Sequence, residues 1–292
     1  MPVEWAWLRD QKRITDEGGD ILLSGGKKGY VLLFHGLTGS PTEMAYVAHH
    51  LHHRNGYSVW CPRLVNHGQP LVILARTHWT EFEAFARSCF TRALADARAA
   101  GLPLYVGGLS FGAILSLLLA AEYPVEIQGA ICLAPTLFYD GWSVPWTHRL
   151  IPLVSYTPLK YFAYFREDPP FGLKDEMLRE RVAEHYGKVP LRANLDRGAK
   201  GYAHFPVRLF CEIRHMFTKC IRRLDLVVCP VILIQAAQDD ITGPKNSEFI
   251  HRSIKSRKKE IVLLHNSYHL VTVDLEREKV AAEIARFCGT CE

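Results

Sequence analysis

The chain of 292 residues is 48% hydrophobic and 22% charged, too apolar to stay disordered and without the run of about 18 apolar residues that a membrane-spanning helix requires. Its net charge of +5 is modest, and its basic residues are scattered apart from IKSRKKE at 254–260, read as the solvated end of a helix; no basic stripe interleaved with aromatics marks a nucleic-acid surface. The eight cysteines lie mostly in apolar, strand-like runs, which suits reduced core thiols and argues against a disulfide framework. The N-terminal MPVEWAWLRDQKRITDEGGD carries charges of both signs and has neither the apolar stretch nor the small-residue cleavage site of a secretory leader. A soluble, cytoplasmic protein with no integral membrane association is expected, its oligomeric state left open.

In chain order, short apolar runs alternate with helix-period segments. YVLLFHG at 30–36 is a strand, and Pro41 to His53 is a helix opened by a proline after Ser40. YSVWCP at 57–62 is the next strand, followed by an amphipathic helix from Thr80 to Ala100. LYVGGLS at 104–110 leads into an almost wholly apolar helix, Phe111 to Glu122, and GAICLAP at 129–135 into a long irregular stretch. VILIQAA at 231–237 and EIVLLHN at 260–266 resume the rhythm, and Leu275 to Cys288 closes the chain as a helix. This alternation predicts an α/β fold with a mostly parallel sheet and helices on both faces.

Between residues 138 and 227 the rhythm fails, proline and aromatics cluster, and no sheet-type run recurs until Val231. Residues 1–137 and 228–292 are therefore read as the core and 138–227 as a helical cap inserted between two core strands.

A serine hydroxyl is a weak nucleophile that needs a base, an orienter for the base, and donors for the oxyanion formed on attack. Gly108-Leu109-Ser110-Phe111-Gly112 matches the turn in which a strand passes sharply into a helix and exposes the nucleophile in a strained backbone conformation; a bulky side chain at either glycine would collide with the neighbouring elements. The alternative for this stretch, a glycine-rich turn packed on the sheet, loses weight from what accompanies it. FHGLTGS at 34–40 ends a strand where the backbone N–H of Leu37 meets an oxyanion, with that of Phe111 as the second donor. His35 is read as a loop-packing residue. QAAQDDITGP offers two adjacent carboxylates after a late strand, of which Asp239 is preferred over Asp240; LLHNSYHLVTVD offers His265 and His269, of which His269 lies deeper in the loop. The order Ser110, Asp239, His269 suits a hydrolase triad.

Other candidates have plainer readings. His49 and His53 in VAHHLHHRNG stand at metal-ligand spacing, but no third ligand of suitable type is evident, and a solvated helix face is preferred. The lone Cys288-Gly-Thr-Cys291 has no partner pair and is read as chance.

VLLFHGLTGSPTEM, CPRLVNHG, VGGLSFGAILSLLLAAEYP, QAAQDDITGP and SYHLVTVDLEREKVAAEIARF together resemble the bacterial carboxylesterase and monoacylglycerol-lipase-like branch of the α/β-hydrolases, over residues 28–137 and 228–289. The resemblance implies a serine esterase acting on a small-molecule ester, with no metal or organic cofactor, an oxyanion hole at Leu37 and Phe111, and a helical cap over an acyl pocket. An aspartate followed five positions later by proline fits Asp239 with Pro244. Two departures stand out: Tyr268 where relatives carry small residues before the catalytic histidine, and Val65-Asn66-His67-Gly68 in place of Pro-Gly-His-Gly.

Aromatics of the cap, Trp142, Trp146 and Phe165 among them, are candidates for the wall of that pocket, although packing of the cap on the core is the plainer role for any one of them. Hydrolysis of esters with small or medium apolar acyl groups through an acyl-serine is the leading expectation. A thioesterase or acyltransferase would use the same triad, and a non-catalytic ligand-binding protein would use the same scaffold.

Overall fold

The computed structural model describes residues 19–187 and 202–291. Its centre is a seven-stranded sheet in the order β1-β3-β2-β4-β5-β8-β9. The strands are β1 (Ile21–Leu23), β2 (Tyr30–Phe34), β3 (Ser58–Cys61), β4 (Leu104–Leu109), β5 (Ile127–Leu133), β8 (Val231–Ala236) and β9 (Lys259–Leu264). All six predicted strands are present and run parallel to one another. The addition is β1, which pairs antiparallel with β3; three residues are too few to show an alternation that sequence reading detects.

The strands read as unbroken apolar runs because both faces of the sheet are covered. Successive residues go to opposite cores: Leu32, Phe34, Val106 and Leu233 to one, Val31, Leu33, Tyr105 and Ile232 to the other. Helices α2 (Trp79–Ala99) and α3 (Phe111–Glu122) fill the first layer, α1 (Ala45–His53) and α7 (Arg277–Thr290) the second. The sequence IKSRKKE does not end a helix as expected. Helix α6 (Lys245–Ser253) stops before it, and the cluster forms the link into β9. All eight cysteines are buried free thiols, and among the described residues no helix is long and apolar enough to cross a membrane.

The connection from β5 to β8 is not purely helical. It carries α4 (Glu176–Gly187) and α5 (Val207–Ile221), and also an antiparallel ribbon of β6 (Tyr164–Arg166) with β7 (His204–Pro206). That ribbon overturns the expectation that no strand recurs before Val231; its two short strands lie far apart in sequence and leave no hairpin signal. Helix α5 buries Leu209, Ile213, Met216 and Phe217 in the same core cluster as α2 and α3.

The sheet order reverses between β2 and β4, with β3 on one side and β5 on the other. Parallel strands open a crevice outside their carboxyl ends at such a switch point. The loops leaving β2, β4, β8 and β9 all begin at that edge.

Candidate active site

Ser110 stands between the last residue of β4 and the first of α3, with φ 57° and ψ −112°. This left-handed conformation is strained for a residue with a side chain, and it persists only where the surroundings over-determine it. They do so here. The Ser110 N–H donates to the Leu133 carbonyl at 2.8 Å, extending the β4–β5 ladder. A Cβ on Gly108 would fall 2.5 Å from the Gly112 carbonyl carbon, and one on Gly112 2.3 Å from the Phe34 carbonyl oxygen. The close approach of α3 to β2 therefore requires both glycines.

The structure brings His269 and Asp239 together. His269 Nδ1 lies 3.0 Å from both oxygens of Asp239, so Nδ1 carries the proton and Nε2 is left to accept one. Asp239 is held in turn: Oδ1 accepts from the backbone N–H groups of Ile241 and Thr242, and Oδ2 from Gln235 Nε2 at 2.8 Å. Gln235 is oriented by Ser247 Oγ, which donates to its Oε1 at 3.0 Å. Asp240 has a different task, accepting the backbone N–H of His269 at 3.2 Å and that of Gly172 at 3.1 Å. His265 is exposed. Burial alone would push the His269 imidazole down; the charge of Asp239 and its hydrogen bond, with Asp240 and Glu43 behind, outweigh it and hold the pKa above the ordinary value.

Ser110 Oγ bonds to Thr136 Oγ1 at 2.9 Å. Among the described residues this is its hydrogen-bond partner, so the hydroxyl rests on Thr136 rather than on His269; hydrogen bonds of this kind often tighten only once substrate is bound. Nothing in the sequence marked Thr136, which reaches the serine from the loop just beyond the adjacent strand β5.

The loop after β2 is braced by two buried histidines. Leu64 N–H donates to His35 Nε2 at 3.0 Å, so Nδ1 holds the proton and donates to the Gly36 carbonyl at 2.8 Å. Burial, with His67 beside it, keeps His35 well below the ordinary pKa and therefore neutral. This is the loop-packing role expected of it. His67 contacts the Leu37 carbonyl through Nε2 and the Val65 carbonyl through Nδ1. The altered loop keeps its turn: Asn66 adopts φ 61°, which asparagine tolerates, before Gly68 at 77°. On the other side, Glu43 Oε2 accepts the Gly36 N–H at 3.0 Å, and its Oε1 lies 1.8 Å from where a Cβ on Gly39 would stand. Burial pushes the Glu43 carboxyl up to about 7. Phe111, as the first residue of α3, has an N–H with no carbonyl inside the helix to bond.

Two cavities adjoin these residues. One, of about 160 Å³, is lined by Gly36, Leu37, Glu43, Ser110, Glu167 and His269 among others. The second, of about 220 Å³, is lined by Val144, Ile151 and Phe165 among others, and the two share Tyr139, Glu167, Phe171, Phe205, Phe210 and Ile241 as a common wall. Burial, with the charges of Glu43 and Asp240, pushes Glu167 up to about 8. Of the three predicted cap aromatics, the structure brings only Phe165 to these cavities. Trp142 lies outside both, its Nε1 donating to the Gln238 carbonyl at 3.1 Å and its ring edge-on to Tyr268 at 5.5 Å over the back of the Asp239 loop. Trp146 is 69% exposed and lines neither cavity. Tyr268, edge-on to Trp142, likewise lines neither cavity. His49 and His53 stack at 5.5 Å, and no group of three or more metal-ligating side chains exists among the described residues.

Residues 25–276 match the serine aminopeptidase S33 family of hydrolases. The chain belongs to this family. It is 26% identical to the thermostable monoacylglycerol lipase of Bacillus sp. strain H-257, over 88% of this chain and 89% of that one. It is 21% identical to a carboxylesterase of Bacillus subtilis strain 168, over 94% and 95% of the two chains. Among solved structures, it resembles one described for LipS and LipT, two metagenome-derived lipolytic enzymes, with a TM-score of 0.74 and 24% identity across 94% of this chain and 98% of that one. It also resembles a soluble variant of monoglyceride lipase from Saccharomyces cerevisiae, with a TM-score of 0.74 and 18% identity over 93% and 91% of the two chains. The fold is that of the α/β-hydrolases, and the protein is a lipase- and esterase-like hydrolase.

Proposed function

We propose that this hydrolase cleaves carboxylic esters of small or medium apolar acyl groups through an acyl intermediate on Ser110. The observation that carries the reading is the meeting, in one cavity, of a strained serine, a histidine whose Nδ1 is held by a buried carboxylate, and the loop that presents Leu37. On that reading Ser110 Oγ turns from Thr136 and attacks the carbonyl carbon while His269 Nε2 takes its proton. The oxyanion is held by the N–H groups of Leu37 and Phe111, and the alkoxide leaves with the proton from His269. Water, deprotonated by the same nitrogen, then frees the acid and restores the serine.

The names of the Bacillus relatives, a monoacylglycerol lipase and a carboxylesterase, support an ester bond as the target. Residues 138–227 act as the cap, and its apolar chamber around Phe165 and Phe210 takes the acyl group. Labelling with a fluorophosphonate probe, followed by peptide mapping, tests the nucleophile. Modification at Ser110, and its disappearance together with about a thousandfold or more of kcat in a folded Ser110→Ala variant, is expected; a variant that hydrolyses p-nitrophenyl esters like wild type would refute the assignment.

A further inference from the structure

Of the six side chains that the two cavities share among the described residues, four are apolar, and Tyr139 and Glu167 alone bring polar groups. Among the described residues the Glu167 carboxyl has no hydrogen-bond or ion-pair partner. The carboxylates nearer the triad are all engaged: Glu43 accepts the Gly36 N–H, Asp240 those of Gly172 and His269, and Asp239 holds the imidazole. The charges acting on Glu167 are those of Glu43, Asp240 and Asp168 against the one opposing group, His269. Arg166 and His148 line the larger cavity, but Arg166 is exposed and His148 Nδ1 bonds to the Pro145 carbonyl.

A buried polar group ordinarily finds a partner, and an open one on an apolar wall beside a nucleophile is the kind that fixes a ligand. The backbone holds it in place. Glu167 N–H donates to the Ala203 carbonyl at 2.9 Å, continuing the β6–β7 ribbon, and the segment that follows is tied where the Gly172 N–H donates to Asp240 Oδ2 at 3.1 Å. Burial, then the carboxylates around it, push the Glu167 carboxyl up to about 8, so at neutral pH it keeps its proton. A protonated carboxyl offers one O–H donor and an accepting carbonyl oxygen. A hydroxyl, which also donates and accepts, matches both; an ammonium would require the ionised form, and a methylene would leave both atoms unpaired.

We infer that Glu167 selects esters whose acyl chain carries a hydroxyl close to the carbonyl. The inference rests on the esterase reading of Ser110 with the acyl group in the larger chamber: a chain that leaves Ser110 for that chamber passes the shared wall, where Glu167 stands, before its apolar end reaches Phe165 and Ile151.

Three esters test this when acid release is followed: ethyl hexanoate, the better enantiomer of ethyl 3-hydroxyhexanoate, and 2-hydroxyethyl hexanoate, whose hydroxyl is on the alcohol side. After correction for their rates with hydroxide, wild type should show a kcat/KM about tenfold higher on the 3-hydroxy ester than on the plain one, the scale of one added hydrogen bond. Glu167→Leu should bring that ratio to about one or below, and Glu167→Gln, whose amide also donates and accepts, should keep part of it; melting temperatures establish that both variants are folded. Wild type decides by itself if the variants do not fold: equal turnover of the plain and 3-hydroxy esters would overturn the proposal. So would a ratio that folded Glu167→Leu leaves unchanged, or a gain confined to 2-hydroxyethyl hexanoate, which would put Glu167 on the alcohol side. A stronger preference for ethyl 3-aminohexanoate would overturn it too, since the carboxyl would then serve a cation. An enzyme that hydrolyses none of these esters and takes no fluorophosphonate label at Ser110 would instead remove the esterase reading itself, and this inference with it.

Discussion

Asp239 and Asp240 show how much work separates two adjacent carboxylates. Asp239 holds the imidazole proton, whereas Asp240 ties the backbone of the histidine loop to Gly172. Asp239→Asn should therefore lower kcat by several orders of magnitude, on the order of ten-thousandfold, because the amide favours the wrong tautomer and cannot stabilise the imidazolium. Asp240→Asn, which keeps an acceptor for one of the two N–H groups, should cost far less, and steady-state kinetics of the two variants rank them. On the proposed mechanism the raised pKa of His269 sets the acid limb of activity, since a base must be neutral: kcat/KM should fall as pH drops through a midpoint above 6.5, and a midpoint below it would contradict the balance of charges around the ring. Glu43 acts on stability instead. Its carboxyl is raised from 4.5 to about 7 by burial, so between those values the unfolded chain ionises while the folded one stays protonated, and stability present at low pH is lost as pH rises through this window. Glu43→Gln keeps an acceptor for Gly36 and removes the charge, so relative to wild type it should gain on the order of 2 kcal/mol between pH 4.5 and pH 8; parallel melting curves at the two pH values would deny it. Ser110, Asp239 and His269 were legible because each follows a readable strand. Glu43, Thr136 and Glu167 were not, since what distinguishes them is proximity across the fold, which no spacing records.

At the scale of elements, the parallel strands were readable because burial on both faces removes the ambiguity between alternating and continuous patterns. The short β1 and the β6–β7 ribbon lacked that signal and take their form from tertiary pairing. The junction of β4 with α3 is the element on which the site depends most, and its tolerance is set by Phe34. Gly112→Ala would place a methyl 2.3 Å from the Phe34 carbonyl oxygen, against backbone that has little freedom to retreat. A destabilisation of about 3 kcal/mol is expected, with β2 and the Leu37 loop displaced, so that probe labelling of Ser110 falls along with the melting temperature. Gly289→Ala is the control: it lies within α7, and nothing stands within 4 Å of the added carbon, so the change should leave stability unaltered or raise it by about 0.5–1 kcal/mol.

For the whole molecule, the proposed function divides the labour between a sheet that positions Ser110, Asp239 and His269 and a long connection that shapes what reaches them. Composition drew attention to the aromatics of residues 138–227 but did not reveal which of them turn inward, because the turns there are too short to carry a periodicity. The structure separates them: Phe165 and Phe210 line the larger cavity, whereas Trp146 faces outward. If the acyl group lies in that chamber, each methylene buried contributes about 0.8 kcal/mol, or roughly fourfold in kcat/KM, until the space is filled. Turnover of p-nitrophenyl esters from acetyl to palmitoyl, kept below the concentration at which the longer ones aggregate, should then rise to an optimum at intermediate length. Phe165→Ala and Phe210→Ala should each move that optimum toward longer chains by enlarging the chamber, while Trp146→Ala leaves it in place on these dispersed substrates. A flat wild-type profile, or an optimum moved by Trp146→Ala and by neither phenylalanine change, would place the acyl group outside the chamber between Tyr139 and Phe210.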